Sequence, residues 1–283
     1  MKFKLWKEYG AQNAKPIFDA FEHSCIANGH NIISDHSIDA ADCHVIWSVL
    51  FHGRMARNKD IWTRCHELRK PVIVLEVGGI KRGTTWKVGL NGINRDANFG
   101  TMGNNADRAV SLGLSLKPWR SQGDHVLICG QHDKSLQWQN MPRMSEWVMN
   151  TIDTLQQYTD KPIVFRPHPR CQLPDIERQY QNVYRDQPEK ISGSYDDYNL
   201  SFHKTDAVIS WSSNPGPHAV LTGTKVFTGP SSLAYPMSIE SLSQINQTHC
   251  PDRQQWLNDY AWTEYTIEEI MQGIPLNRLT NHL

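Results

Sequence analysis

Residues 71–77 run Pro-Val-Ile-Val-Leu-Glu-Val, so any strand formed there carries apolar side chains on both faces until Glu76. Such a strand has to be covered on both sides, which is the situation of a parallel sheet sandwiched between helices. The surrounding sequence supplies the partners. Residues 3–6 read as a strand, and 14–27 as a helix with Ile17, Phe18, Phe21 and Cys25 on one face. Asn28-Gly29 closes that helix. Residues 31–34 and 44–50 read as strands and 55–69 as a second helix. After a looser stretch rich in Gly and Asn, 78–123, the alternation restarts with strands at 125–129, 162–166, 207–211 and 225–228. Helices are expected at 146–158, 217–222, 253–260 and 267–272. Strands alternating with helices indicate an α/β fold with parallel sheets. The expected division is an N-terminal domain over 1–120 and a C-terminal domain over 121–283, with the final helix in position to pack back on the first.

The 283 residues suit two domains of ordinary size, and ten Trp, nine Tyr and eight Phe give them large side chains to bury. Acidic and basic residues balance at 29 each, which excludes a polybasic binder but allows a local basic patch. No apolar run approaches the roughly 20 residues of a membrane helix, and no signal core precedes the first strand, so a soluble cytoplasmic protein without membrane insertion is expected. The six cysteines form no C-x-x-C pair. Reduced thiols are expected, and no metal site.

Several common motifs are missing. There is no G-x-x-x-x-G-K-[ST], no G-x-G-x-x-G after a strand and no G-x-S-x-G, which argues against P-loop hydrolases, ordinary dinucleotide dehydrogenases and α/β-hydrolases. No D-x-D occurs either, so a nucleotide diphosphate would have to be neutralised by backbone amides and cationic side chains.

Three loops at expected strand ends could do so. Gly130-Gln131-His132-Asp133-Lys134-Ser135 has a glycine for a tight turn, and His132, Lys134 and Ser135 could donate to an anion, although a polar surface loop reads the same way. In Arg166-Pro167-His168-Pro169-Arg170, two prolines fix the backbone around His168 and two guanidinium groups flank it; a proline-rich turn with solvated arginines is the alternative. Ser210-Trp211-Ser212-Ser213-Asn214-Pro215-Gly216-Pro217-His218 leads into a short helix, where Ser212, Ser213, Asn214 and Gly216 could donate to an anion or simply cap the helix.

The Arg-Pro-His-Pro turn, then Ser-x-x-Ser-Asn-Pro-Gly about forty residues on, then Leu221-Thr222-Gly223-Thr224-Lys225-Val226-Phe227, resembles the sugar-donor half of GT-B glycosyltransferases. It is most similar to the capsule-polysaccharide transferases and related phage-encoded proteins. The resemblance covers roughly residues 125–230. It implies two Rossmann-like domains facing a cleft, a nucleotide-sugar co-substrate such as a UDP-sugar, no resident cofactor, and donor binding by Gln131, His132, Ser135, Arg166, His168, Arg170, Ser212, Ser213, Asn214 and Gly216. It also implies a general base in the N-terminal domain. Glu76, ending an apolar run and opening an E-x-G loop, is the first candidate, because burial without a partner would raise its pKa; a carboxylate paired with Lys81 or Arg82 is the alternative. His52 and Asp107 are weaker candidates.

Residues 77–123 hold seven Lys or Arg against two Asp. Cations interleaved with aromatics suit a phosphate backbone and an unstacked base, although a solvated basic face reads alike. Lys81, Arg82, Trp86, Lys87, Arg95, Trp119 and Arg120 are the candidate acceptor contacts. The Lys/Arg and Asn/Gly pattern of 81–95 resembles phage proteins found beside hydroxymethylpyrimidine genes. The sequence reading is therefore an inverting, metal-independent glycosyltransferase whose preferred acceptor is a hydroxymethylpyrimidine, such as 5-hydroxymethylcytosine, in double-stranded phage DNA. A transferase building cell-surface polysaccharide and a non-catalytic nucleotide- or DNA-binding module are the alternatives.

Overall fold

The computed structural model of the chain describes residues 1–171, 173, 176, 178–193 and 197–283. In chain order the first part is β1 (Lys2–Leu5), α1 (Lys15–Ala27), β2 (Asn31–Ile32), β3 (Cys43–Trp47), α2 (Asn58–Glu67), β4 (Val72–Val77), β5 (Trp86–Leu90) and α3 (Asp107–Ser111). The second part is β6 (His125–Cys129), α4 (Met144–Leu155), β7 (Ile163–Arg166), β8 (Val183–Arg185), β9 (Thr205–Ser210), α5 (Pro215–Leu221), β10 (Lys225–Thr228) and α6 (Gln254–Tyr260). The chain closes with β11 (Glu264–Tyr265), α7 (Ile267–Met271) and α8 (Ile274–Leu279).

These elements form two compact α/β units. The first comprises Met1–Arg108, Lys134–Leu136 and Asn258–Leu283, and the second Ala109–Asp133 and Gln137–Leu257. The crossing expected after residue 120 thus falls after residue 108. The physical reason is hydrogen bonding: Lys117 N–H donates to Leu221 O (2.9 Å), Arg120 N–H to Gly223 O (2.7 Å), and Trp119 Nε1 to Pro251 O (3.0 Å). All three acceptors belong to the second unit.

In the first unit the sheet order is β11-β5-β4-β3-β1-β2. The strands β2, β1, β3 and β4 run parallel, while β5 is antiparallel to β4 and to β11. Both faces of β4 are buried, as its composition requires. Ile73 and Leu75 join Phe18 and Phe21 of α1 on one side, and Val72 and Val74 join Ile61, Trp62 and Cys65 of α2 on the other. Gly29, at φ +75°, ends the first helix and lets the chain turn into β2. Ile270, Leu276 and Leu279 complete the α1 face of the core, which is what returns the C-terminal segment to this unit.

The second unit has a five-stranded, wholly parallel sheet, β10-β9-β6-β7-β8. Val126, Ile128, Phe165 and Ile209 pack with Val148, Ile152 and Leu155 of α4 on one face. Leu127, Val208, Val220 and Val226 are fully buried as well. No helix among the described residues is long and apolar enough to cross a membrane.

His44, on β3, is a buried imidazole with a defined proton. Trp6 Nε1 donates to its Nδ1 (3.2 Å), so the neutral ring carries its hydrogen on Nε2, 3.1 Å from Ile38 O. Burial brings its pKa down to about 4, against a weaker upward pull from Ile38 O. The unfolded chain binds this proton near pH 6.5, so stability is lost as pH falls through the window from 6.5 to 4. At pH 5 the expected loss is about 2 kcal/mol. NMR titration should give the His44 ring a midpoint near 4, and His44→Gln should flatten the fall in unfolding free energy between pH 7 and 5. A ring midpoint near 6.5 would contradict the buried neutral imidazole.

Candidate functional site

Register fixes the geometry of the second unit's sheet edge. Thr228 is paired with Ser210, Ser210 with Cys129, and Cys129 with Arg166, so the last residues of β10, β9, β6 and β7 form one transverse row. The loops that leave the row therefore start side by side, as they must in a parallel sheet.

Those loops are bonded to one another. Gln131, buried, accepts through Oε1 from Ser212 N–H (3.0 Å) and from Ser212 Oγ (3.1 Å), tying the loop after β6 to the loop after β9. Ser212 directs both of its donors at Gln131 Oε1, so in this arrangement the pair ties the two loops together. The loop after β7 joins on the other side: Gly130 N–H donates to Arg166 O (2.9 Å), and the His132 and His168 rings meet edge to face at 5.7 Å.

His168 is held in one useful state. Arg170 N–H donates to its Nδ1 (3.1 Å), and Cys171 N–H donates to its carbonyl (3.0 Å). A neutral ring that accepts on Nδ1 carries its hydrogen on Nε2. Arg166 is aimed by Asp186, whose Oδ2 accepts from Nε at 2.8 Å, while Arg166 Nη1 is buried with no hydrogen-bond partner among the described residues. Ser210 Oγ, Ser213 Oγ, Thr228 Oγ1 and Ser231 Oγ are also buried and unpartnered among the described residues. Buried donors of this kind are rare and costly, and several on one sheet edge mark a place built for a polar ligand or ordered water.

Gly216 lies against this edge. A Cβ there would come within 3.2 Å of both Ser210 Oγ and Thr228 Cγ2, so the first turn of α5 packs closely on the row. The helix itself has only seven residues and begins at Pro215. Asn214 is helical in conformation and makes no side-chain cap, which departs from the capping expected of it. Arg170 is exposed. Ser135 belongs elsewhere: it pairs antiparallel with Leu50, beside a Phe51 N–H to Lys134 O bond (3.3 Å), and these residues are part of the first unit. Of the expected donor residues, Gln131 and Ser212 are joined by hydrogen bonds and His132 and His168 by ring contact, while Arg166 ends β7 and Ser213 lies in the loop after β9.

In the first unit the expected base is not an unpaired buried carboxylate. Glu76 is half-buried; Ser48 Oγ donates to its Oε2, and Val77 N–H to its Oε1 (2.8 Å). Neither Lys81 nor Arg82 is its partner in these bonds. Ser48 sits at φ +63°, a conformation rarely adopted by serine, and its Oγ also accepts from Leu50 N–H (2.9 Å). Register places Glu76 opposite Lys87 and Lys87 opposite Glu264, giving an acid–base–acid row across β4, β5 and β11. Burial pushes the Lys87 ammonium below its usual range, and the two carboxylates pull the other way. Glu264, fully buried, accepts from Gly79 N–H (2.6 Å), Ile80 N–H (2.9 Å) and Thr85 Oγ1 (2.7 Å). It thereby holds the loop that follows Glu76. His52 is exposed, and Asp107 is a surface residue that accepts from Asn105 Nδ2 at 2.8 Å.

The expected acceptor contacts are largely internal. Trp86 and Lys87 are buried strand residues, so neither presents a surface to a macromolecule. Trp119 is bonded to Pro251 O and stacked by the Arg253 guanidinium at 3.9 Å. Arg120 donates to Phe202 O, and Arg108 is buried with Glu269 at 2.6 Å. Lys81 and Arg95 remain exposed and Arg82 half-exposed. Sequence reasoning missed Ser48, Glu264, Asp186, Ser210 and Thr228. The last two stood in plain view at strand ends, whereas Ser48, Glu264 and Asp186 act through partners that no local pattern reveals.

No protein-family model matches the chain, and no curated protein matches its sequence. Among solved structures, it is similar to Thermosulfurimonas dismutans KpsC, beta Kdo 2,4 transferase, with 13% identity over 97% of this chain and 98% of that one, at a TM-score of 0.48. The same organism's KpsC, beta Kdo 2,7 transferase, gives 12% identity over 98% and 99%, also at 0.48. Likeness at this level does not establish a shared fold, and the α/β class rests on the two sheets themselves.

Glu264→Gln turns an amide N–H₂ toward N–H and O–H donors and leaves Lys87 buried beside one carboxylate fewer. Breaking a buried charged network in this way should cost about 3–5 kcal/mol. Urea unfolding of the variant should show that loss, and a midpoint equal to the wild type would contradict the role given to Glu264.

Proposed function

We propose that the chain is a glycosyltransferase that holds a nucleotide-sugar donor by its phosphate at the sheet edge of the second unit and passes the sugar to a saccharide hydroxyl. The observation that carries this reading is the convergence of the loops after β6, β7 and β9 on one sheet edge, with Arg166 at the end of β7, His168 in the loop that follows it and Ser213 in the loop after β9. A guanidinium with a buried N–H unused among the described residues suits phosphate oxygens, and an imidazole follows it by two residues. Asp186 keeps the Arg166 fork oriented before a ligand arrives, which lowers the cost of binding.

The chemistry asked of these residues is electrostatic. As the bond from the anomeric carbon to phosphate breaks, negative charge grows on the departing oxygens, and donors already in place stabilise it. The acceptor hydroxyl attacks the anomeric carbon as it loses its proton to a base. A single displacement of this kind inverts the anomeric centre.

A saccharide is preferred to duplex DNA as acceptor because of where the cations lie. Of the seven acceptor contacts expected from sequence, Trp86 and Lys87 are buried and Trp119 and Arg120 are bonded within the second unit. A neutral polyhydroxyl acceptor needs no basic track, whereas DNA binding draws most of its affinity from one.

Transfer from CMP- and UDP-sugars should be measured as nucleotide release with oligosaccharides and with hydroxymethylated duplex DNA. The expected result is turnover with a saccharide, and a loss of about 10²–10³-fold in kcat/KM for His168→Ala, the scale of removing one transition-state donor. Unchanged turnover in His168→Ala would overturn the site. Glycosylated nucleosides found by mass spectrometry, with no saccharide product, would overturn the acceptor.

A further inference from the structure

The same two strand ends bring together side chains of a different character. His132 and Asp133 follow β6, Cys171 follows β7, and one ligand atom from each lies within 4.8 Å of the other two. Cys171 Sγ is 3.7 Å from Asp133 Oδ1, and His132 Nδ1 is 3.6 Å from the same oxygen. A cation bonded at about 2.3 Å to sulfur, 2.0–2.1 Å to nitrogen and 2.0–2.2 Å to oxygen, at tetrahedral angles, sets its ligand atoms roughly 3.3–3.6 Å apart. The two measured separations are within a few tenths of an ångström of that.

We propose that His132, Asp133 and Cys171 form a binding site for one divalent transition-metal cation of the zinc class. A thiol–carboxylate hydrogen bond accounts for one of the distances and a histidine–carboxylate pair for the other. A cation accounts for both at once, and for the choice of a soft sulfur, a borderline imidazole and a hard oxygen at one point. His168, although it touches the His132 ring, is not a ligand: its Nδ1 takes the Arg170 N–H and its Nε2 bears the hydrogen. Three protein ligands leave a fourth position, and with the Asp133 side chain 39% exposed the site is open enough for water or a ligand oxygen to occupy it.

Occupancy would do two things. It would cross-link the loops after β6 and β7, whose shape sets the phosphate corner, and it would cancel the negative charge of Asp133 next to that corner. Binding converts the Cys171 thiol to a thiolate and releases its proton, so affinity should fall on acidification. The site does not depend on the proposed transferase activity.

Cobalt(II) is the probe. The full chain, stripped with a chelator, should take up one equivalent with a near-ultraviolet thiolate-to-cobalt band, and zinc should displace it. Cys171→Ser should abolish the band, Asp133→Asn should weaken cobalt binding at least tenfold, and Cys250→Ser, which removes the exposed thiol elsewhere, should leave both unchanged. Far-UV circular dichroism checks that each variant is folded. Absence of the band in the wild-type chain, its persistence in folded Cys171→Ser, or its loss in Cys250→Ser would overturn the proposal.

Discussion

In-register parallel pairing of β6 with β7 on one side and β9 on the other is the constraint on which the candidate chemistry depends. Parallel strands must return by crossovers, so their C-terminal ends fall on one edge and the loops leaving them have nowhere else to begin. From that single fact follow the Gln131–Ser212 tie, the contact between His132 and His168, and the row of Thr228, Ser210, Cys129 and Arg166. A one-residue slip would turn that row to the opposite face and separate the donors.

The first unit solves a different problem with the same economy of means. The end of its strand β4 carries the candidate base, and what fixes the loop that follows is a carboxylate delivered from the far end of the chain. Glu264 reaches Gly79 and Ile80 because β11 pairs with β5, and β11 is in place because α7 and α8 complete the apolar face of α1. Local burial and a long-range return are thus parts of one arrangement. Ser48, in a strained backbone conformation and bonded to Glu76, belongs to it as well.

What the sequence made legible was whatever depends on local pattern. The doubly apolar run of β4 announced a covered sheet, and the strands at 125–129 and 225–228 coincide with β6 and β10. The strand β5 was hidden, because Gly89 interrupts its apolar residues and the flanking Gly and Asn read as loop; yet that glycine is required, since a Cβ would lie 2.4 Å from Gly92 O. The strand β8, at three residues, is too short to carry a period. Site residues divided along the same line. Arg166 and His168 stood out because prolines flank the histidine, whereas the burial of Trp86 and Lys87 depends on β5, which had no local signal, and the satisfied state of Glu76 depends on Ser48, which follows β3. Cys171, expected like the other cysteines to be a reduced thiol, stands beside His132 and Asp133 only because β6 and β7 are neighbours, and nothing in its own surroundings in the chain says so.

The most direct measurement of the phosphate corner is calorimetric titration of the intact chain with cytidine and uridine and with their 5′-phosphorylated forms, at matched ionic strength. If the donors at the ends of β7 and β9 meet phosphate, the phosphorylated nucleosides should bind at least tenfold more tightly than the bare ones, and Arg166→Met should erase the difference. Equal affinity with and without phosphate, or a preference that survives Arg166→Met, would contradict it.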